Sequence, residues 1–145
     1  MRIVLQRVTG ARVLVSGEEV SAINSGILAL VAVESGDGEQ QARVAAEKLL
    51  SLRIFDDDAG KMNLDVRQVG GAVLIVSQFT LAARLEKGRR PSFDRAARPE
   101  VAEPLIELLV AKVASRGIEA RVGRFGAYMQ VELRNDGPAT FVLEL

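Results

Sequence analysis

The 145-residue sequence contains no cysteine and no histidine. The first absence excludes disulfides, thiolate nucleophiles and cysteine-based zinc sites. The second excludes the Ser-His-Asp and Cys-His arrangements, the commonest general base near neutral pH and the commonest zinc ligand. Any catalysis by this chain proceeds without imidazole or thiol. Neither sign of charge dominates: 19 basic residues face 19 acidic ones. That balance argues against a surface that coats itself with nucleic acid. Long apolar runs are missing too. The longest, Ile27 to Val33, has seven residues, whereas a membrane span needs about 20. The apolar run at Ile3-Val4-Leu5 is too short for a signal peptide. The expectation is a soluble cytoplasmic protein with no membrane partner.

What is present is ordinary globular composition, 48% apolar and 26% charged, which argues against disorder. The length favours one domain over residues 1–145. A chain of this size buries about 68–70% of its unfolded surface, enough for a core without staples. The cations are 15 Arg and 4 Lys. Arginine suits planar contacts to carboxylate or phosphate, although GC-rich coding produces the same bias.

The first third reads as strands. Ile3 to Val8 precede a turn signal at Thr9-Gly10. Arg12 to Val15, Val20 to Ile23 and Ile27 to Val33 follow, separated by Ser-Gly and Asn-Ser-Gly punctuation. Closely spaced strands of this kind predict an antiparallel meander. Glu39 to Leu52 carries Ala42, Ala45, Ala46, Leu49 and Leu50 at helical spacing, with Asp37 or Gly38 at its cap. Arg53-Ile54-Phe55 and Ala72 to Val76 read as strands. A second helix spans about Pro99 to Ser115, with Val101, Leu105, Leu108, Leu109 and Val113 inward. Pro104 predicts that its regular part begins near Glu103, and Arg116-Gly117 ends it. Ile118 to Val122, Tyr128 to Leu133 and Ala139 to Leu145 complete the strands.

Four segments carry candidate chemistry. Asp56-Asp57-Asp58 resembles part of a calcium loop but fails the spacing, because Gly60 stands where a third ligand belongs; a solvated turn is expected. Neither a phosphate-binding loop nor a dinucleotide fingerprint occurs. Residues 84–98 hold six basic residues against two acidic ones, with Phe93 among them. That suits RNA contact or a solvated loop. Ser77-Gln78-Phe79-Thr80 ends a strand, where loops carry function, yet neither hydroxyl has a base. Asn135-Asp136-Gly137-Pro138 reads as a hairpin turn. At about 5–6% cis for X-Pro bonds, its Gly-Pro peptide is expected trans on base rate alone.

Taken together, Ser77-Gln78-Phe79-Thr80-Leu81 and Asn135-Asp136-Gly137-Pro138-Ala139-Thr140 resemble the two-segment signature of the D-aminoacyl-tRNA deacylases. The resemblance extends over the chain through Gln6-Arg7-Val8, Arg53-Ile54-Phe55, Gly60 to Leu64, Arg90 to Phe93 and Gly123 to Ala127. Ala32, Tyr128 and Ala139 stand where the family commonly has Gly, Asp and Val. None of the three touches the signature cores.

The resemblance implies an α+β homodimer of layered mixed and antiparallel β-sheets, with two main helices on one side. It implies hydrolysis of the ester between a D-amino acid and the 3′ end of tRNA, with glycyl-tRNA as a second substrate and no cofactor or metal. Ser77, Gln78, Phe79 and Thr80 would line the catalytic pocket. Gly137 and Pro138, joined by a cis peptide and reaching into the partner's pocket, would form the chirality filter with Arg7 and Met129. Lys87, Arg89 and Arg90 would contact tRNA.

Such an enzyme must accept many D side chains and reject all L ones, so it must read the substituents on Cα. Rigid carbonyls at Gly137 and Pro138 would accept from the substrate ammonium and clash with an L side chain. Glycine would pass. The amides of Phe79 and Thr80 are candidate oxyanion donors. Either Thr80 attacks, or the ribose 2′-OH activates water; the lack of a protein base favours the second. The alternative is a non-catalytic tRNA-binding module, and a purely structural dimer is a third reading.

Overall fold

The computed structural model describes residues 1–86 and 88–145. In chain order the elements are β1 (Arg2–Val15), β2 (Glu18–Ile23), β3 (Gly26–Ala32), α1 (Glu39–Ser51), β4 (Phe55–Asp56), β5 (Met62–Leu64), β6 (Ala72–Ser77), a 3-10 turn (Phe79–Ala82), α2 (Pro99–Ala114), β7 (Ala120–Val122) and β8 (Met129–Glu144). The main sheet runs β2-β1-β3-β6-β7, with β8 also on β1, and β4-β5 is a separate hairpin. The sheet is mixed. β1 is antiparallel to β2, β3 and β8, while β3, β6 and β7 run parallel. Parallel neighbours require crossovers, and the segments containing α1 and α2 provide them.

Three expectations about how the strands connect are corrected. First, there is no turn at Thr9-Gly10. β1 is continuous, and Gly10 marks where it leaves β3 (Val8 opposite Gly26) and joins β2 (Ala11 opposite Ile23). Its ladder with β8 shifts register at the same place; a strand glycine here serves a bend. Second, the meander fails after one hairpin. Ser16 and Gly17, both at positive φ, form the tight turn from β1 to β2 that the right-handed strand twist favours. β3 then pairs with the first half of β1 instead of β2. On the other edge of β3, Gly26 permits the close approach of β6, because a Cβ there would lie 1.9 Å from the Ala72 carbonyl oxygen. Third, the two C-terminal strands are one. β8 runs through Asn135-Asp136-Gly137-Pro138, which bulge from the ladder.

α2 starts at Pro99, as expected, and is regular from there rather than from near Glu103. The hydrogen bond Pro104 cannot donate belongs to the Glu100 carbonyl, and both residues sit on the exposed face, where water satisfies it. Leu105, Ile106, Leu109 and Val113 are its buried residues. Val101, expected inward, is exposed. α1 buries all five residues expected of it, and its Gly38 amide is capped by the Gln41 side chain at 2.9 Å.

The strand alternation divides the core. Ile27, Ala29, Val31, Val73 and Ile75 cluster with both helices and with Ile3 and Leu5. Leu28, Leu74 and Val76 cluster instead with Val8, Val13 and Ile23. With β3 and β6 buried on both faces, their C-terminal ends are held rigidly.

Candidate active site

The carboxyl ends of parallel strands open onto loops, which is where such sheets bind ligands. Here Ser77 ends β6 opposite Val31 of β3, and the chain turns at once. The Gln78 amide donates to the Val31 carbonyl at 2.7 Å, and the first bond inside the turn is Leu81 N–H to Gln78 O at 3.1 Å. The amides of Phe79 and Thr80 precede that bond, as the first donors of a helical turn must. The Gln78 side-chain amide donates to Thr80 Oγ1 at 2.5 Å. Phe79 is 57% exposed and meets Phe93 edge to face, with centroids 5.1 Å apart.

Two concavities flank this turn. One, of about 440 Å³, is lined by Ser77, Gln78 and Phe79 on one wall and Gly126 to Met129 on the other. The other, of about 330 Å³, is almost wholly apolar and runs between Phe79, Pro99, Ile106 and Phe125. Gly123 lets the second wall close in, because a Cβ there would lie 2.7 Å from Met129 Sδ. Among the described residues no carboxylate lines either concavity. Ser77, Gln78, Phe79 and Met129 therefore share one concavity; Thr80 lines neither and is tied to the group through Gln78.

Arg7, Gly137 and Pro138 lie elsewhere. Val8 pairs with Asn135 and Gln6 with Thr140, so the four residues 136–139 stand out opposite Arg7 alone. The Gly137-Pro138 peptide is cis, contrary to the base-rate expectation and as the family resemblance implied. Both residues are exposed, while Ala139 is buried. Gln6 closes the base of the bulge, its Nε2 donating to Asn135 Oδ1 at 3.0 Å and Thr140 Oγ1 at 3.2 Å. Arg7 is only 4% exposed. Its Nε donates to the Asp136 carbonyl at 3.1 Å and meets the Asp136 carboxylate at 3.0 Å. Its Nη1 donates to the Ile54 carbonyl at 2.6 Å and faces Asp56 Oδ1 at 3.2 Å.

The acidic run is a turn. Asp57 accepts from the Lys61 and Ala59 amides and the Asn63 side chain. These bonds, the Lys61 amide foremost, hold its carboxyl below the usual range. Among the described residues no three acidic side chains are grouped as metal ligands. The basic segment is a loop closed by Arg84 and Ser92, which exchange backbone hydrogen bonds at 2.8 and 3.1 Å. Arg89 and Arg90 are exposed near its tip; Lys87 lies outside the described residues. Residue chemistry gives no sign in the sequence of the wall from Gly126 to Met129 or of the Asp56 contact. The signals for that wall are the Gly123 to Ala127 resemblance and Met129, which the resemblance assigned to the chirality filter and the structure places in this wall.

The α+β fold that carries this strand end is shared with known structures. A solved structure of a c-Myc DNA unwinding element binding protein superposes with a TM-score of 0.94 at 39% identity, covering 100% of this chain and 99% of that one. A probable eukaryotic D-amino acid tRNA deacylase, at 19% identity and a TM-score of 0.85, shares the fold. The family model for D-Tyr-tRNA(Tyr) deacylase matches residues 4–144. The D-aminoacyl-tRNA deacylase of Geobacter metallireducens is 55% identical over 99% of this chain and 95% of its own. That of Halalkalibacterium halodurans is 51% identical over 99% of each. The chain belongs to the D-Tyr-tRNA(Tyr) deacylase family and is an enzyme of that family.

Proposed function

We propose that the chain hydrolyses the ester linking a D-amino acid, or glycine, to the 3′-terminal adenosine of tRNA, and spares L-aminoacyl esters. The observation that carries this reading is the form of the two signature segments: both are anchored and expose backbone at Phe79-Thr80 and at Gly137-Pro138, and their one carboxylate, Asp136, is engaged by Arg7. Phe79 and Thr80 offer two amides to a developing oxyanion. Gly137 and Pro138 offer a rigid wall whose carbonyls accept from the substrate ammonium. An L side chain meets that wall; a hydrogen does not. Glycine has hydrogen in both places and passes.

Within one chain the wall and the pocket are apart, so a second copy supplies Gly137 and Pro138 to the Ser77–Thr80 pocket. The exposure of Phe79, of Tyr128 at 99%, and of Val142 on β8 supports such a pairing. Arg89 and Arg90 contact the phosphates of the acceptor end. The whole chain is one domain acting in the cytoplasm, and no helix among the described residues is long and apolar enough to cross a membrane.

Thr80 positions water and is not the nucleophile, because the partner of its hydroxyl is the Gln78 amide, which takes up no proton at neutral pH. The ribose 2′-OH activates the attack. Deacylation of D-, L- and glycyl-tRNA, with sedimentation of the free protein, tests the reading. Turnover of D-aminoacyl- and glycyl-tRNA alone, by a dimer, supports it. Tight binding without turnover would leave a tRNA-binding module.

A further inference from the structure

The bulge at Asp136–Ala139 has no ladder partner to set its position, because β1 offers one residue, Arg7, opposite four. Arg7 replaces the ladder, and what fixes Arg7 then fixes the bulge. Its guanidinium is held at two ends. Nε reaches Asp136, while Nη1 is bound to the β4–β5 hairpin through the Ile54 carbonyl and the Asp56 carboxylate. A planar guanidinium held at one end still swings; held at both, its plane is set. The hairpin itself is stiffened by Asp57, whose carboxylate gathers the Lys61 and Ala59 amides and the Asn63 side chain.

We infer that Asp56 is a positioning residue: through Arg7 it fixes the Gly137-Pro138 segment, and so the discrimination between D and L substrates depends on the β4–β5 hairpin. The functional consequence rests on the activity proposed above, whereas the positioning itself does not. The acidic run thus divides its work. Asp57 builds the turn, Asp56 faces Arg7, and Asp58 is exposed on the same turn and provides a charge-matched control.

The test compares wild type with Asp56→Asn, Asp56→Glu and Asp58→Asn. Single-turnover rates on D- and L-aminoacyl-tRNA give the D-over-L ratio. Asp56→Asn is expected to lower that ratio by about 2- to 30-fold, the range over which single residues modulate such coupling. Asp58→Asn leaves it unchanged, and Asp56→Glu restores part of it. Backbone amide relaxation gives a readout independent of activity. In Asp56→Asn the order parameters of the Asp136, Gly137 and Ala139 amides fall, while those of β3 and β6 keep the wild-type values. Lower order parameters in every strand, with an unchanged D-over-L ratio, would reduce Asp56 to general stability and overturn the inference. Unchanged order parameters at 136–139 overturn it as well. If the wild type hydrolyses no aminoacyl ester, the proposed function fails, and the relaxation data alone decide the positioning.

Discussion

Replacing Thr80 with valine removes one hydroxyl and keeps the branched shape. In the structure that hydroxyl accepts a hydrogen bond from Gln78 at 2.5 Å, and the residue is exposed. Losing a neutral bond of this kind costs about 0.5–1.5 kcal/mol, a factor of about 10 at most. If Thr80 only positions water, Thr80→Val therefore slows single-turnover deacylation of D-aminoacyl-tRNA by no more than about tenfold. The other half of the argument concerns the tRNA. A substrate ending in 2′-deoxyadenosine loses the proposed activating group and slows by about 10²–10⁴, the usual worth of general acid–base assistance. Loss of a true nucleophile would instead cost Thr80→Val on the order of 10⁶. Rapid-quench rates for the two changes, side by side, separate the routes. A dead Thr80→Val enzyme, full activity on the deoxy substrate and an acyl-threonine trapped in the wild type would refute the water mechanism.

Neutralising Arg89 and Arg90 together lowers the slope of log K against log salt for tRNA binding by about one per charge, seen in titrations at several salt concentrations. Leu109 is fully buried in α2 among residues of α1 and the sheet, so Leu109→Ala costs about 2–5 kcal/mol in urea unfolding. The Asp65 carboxyl lies below its ordinary value, chiefly through the Arg67 side chain and then the Gln68 and Arg67 amides. Its contribution is full above the unfolded value of about 3.9 and is lost as pH falls through the lower folded one. Asp65→Asn accordingly flattens the acid limb of the stability curve below about pH 4 and lowers stability at pH 7, as denaturant titrations at each pH check.

The helices and the buried strands were legible because each carries its own periodicity. Ala42 to Leu50 specify α1, and the apolar run from Ile27 specifies β3, without reference to distant residues. Connectivity was not legible in the same way. Gly10 and Asn135-Asp136-Gly137-Pro138 are turn residues by local chemistry, yet β1 and β8 pass straight through them. The ladder between the two strands, from Arg2 opposite Glu144 to Val15 opposite Met129, outweighs local preference, and no local rule reports it. At the site, Ser77 to Thr80 could be placed at a strand end from sequence. The partnership of Arg7 with Asp56 could not, because their contact links residues far apart in the chain across a sheet edge and a hairpin.

The long ladder between β1 and β8 also bears on how the molecule assembles in time. β1 is made first and β8 after every other strand, so β1 spends synthesis with one edge open. Contacts between β1, β2 and β3 close short loops and form early. The β1–β8 ladder closes loops of more than a hundred residues, whose entropy is offset only when the rest of the sheet is in place. Gly137 and Pro138 ride on that last strand. The pocket floor at Ser77–Thr80 hangs on β6, whose pairing with β3 closes a loop of about 46 residues, and the wall that would screen its substrates comes after it, on the strand that closes the longest loops.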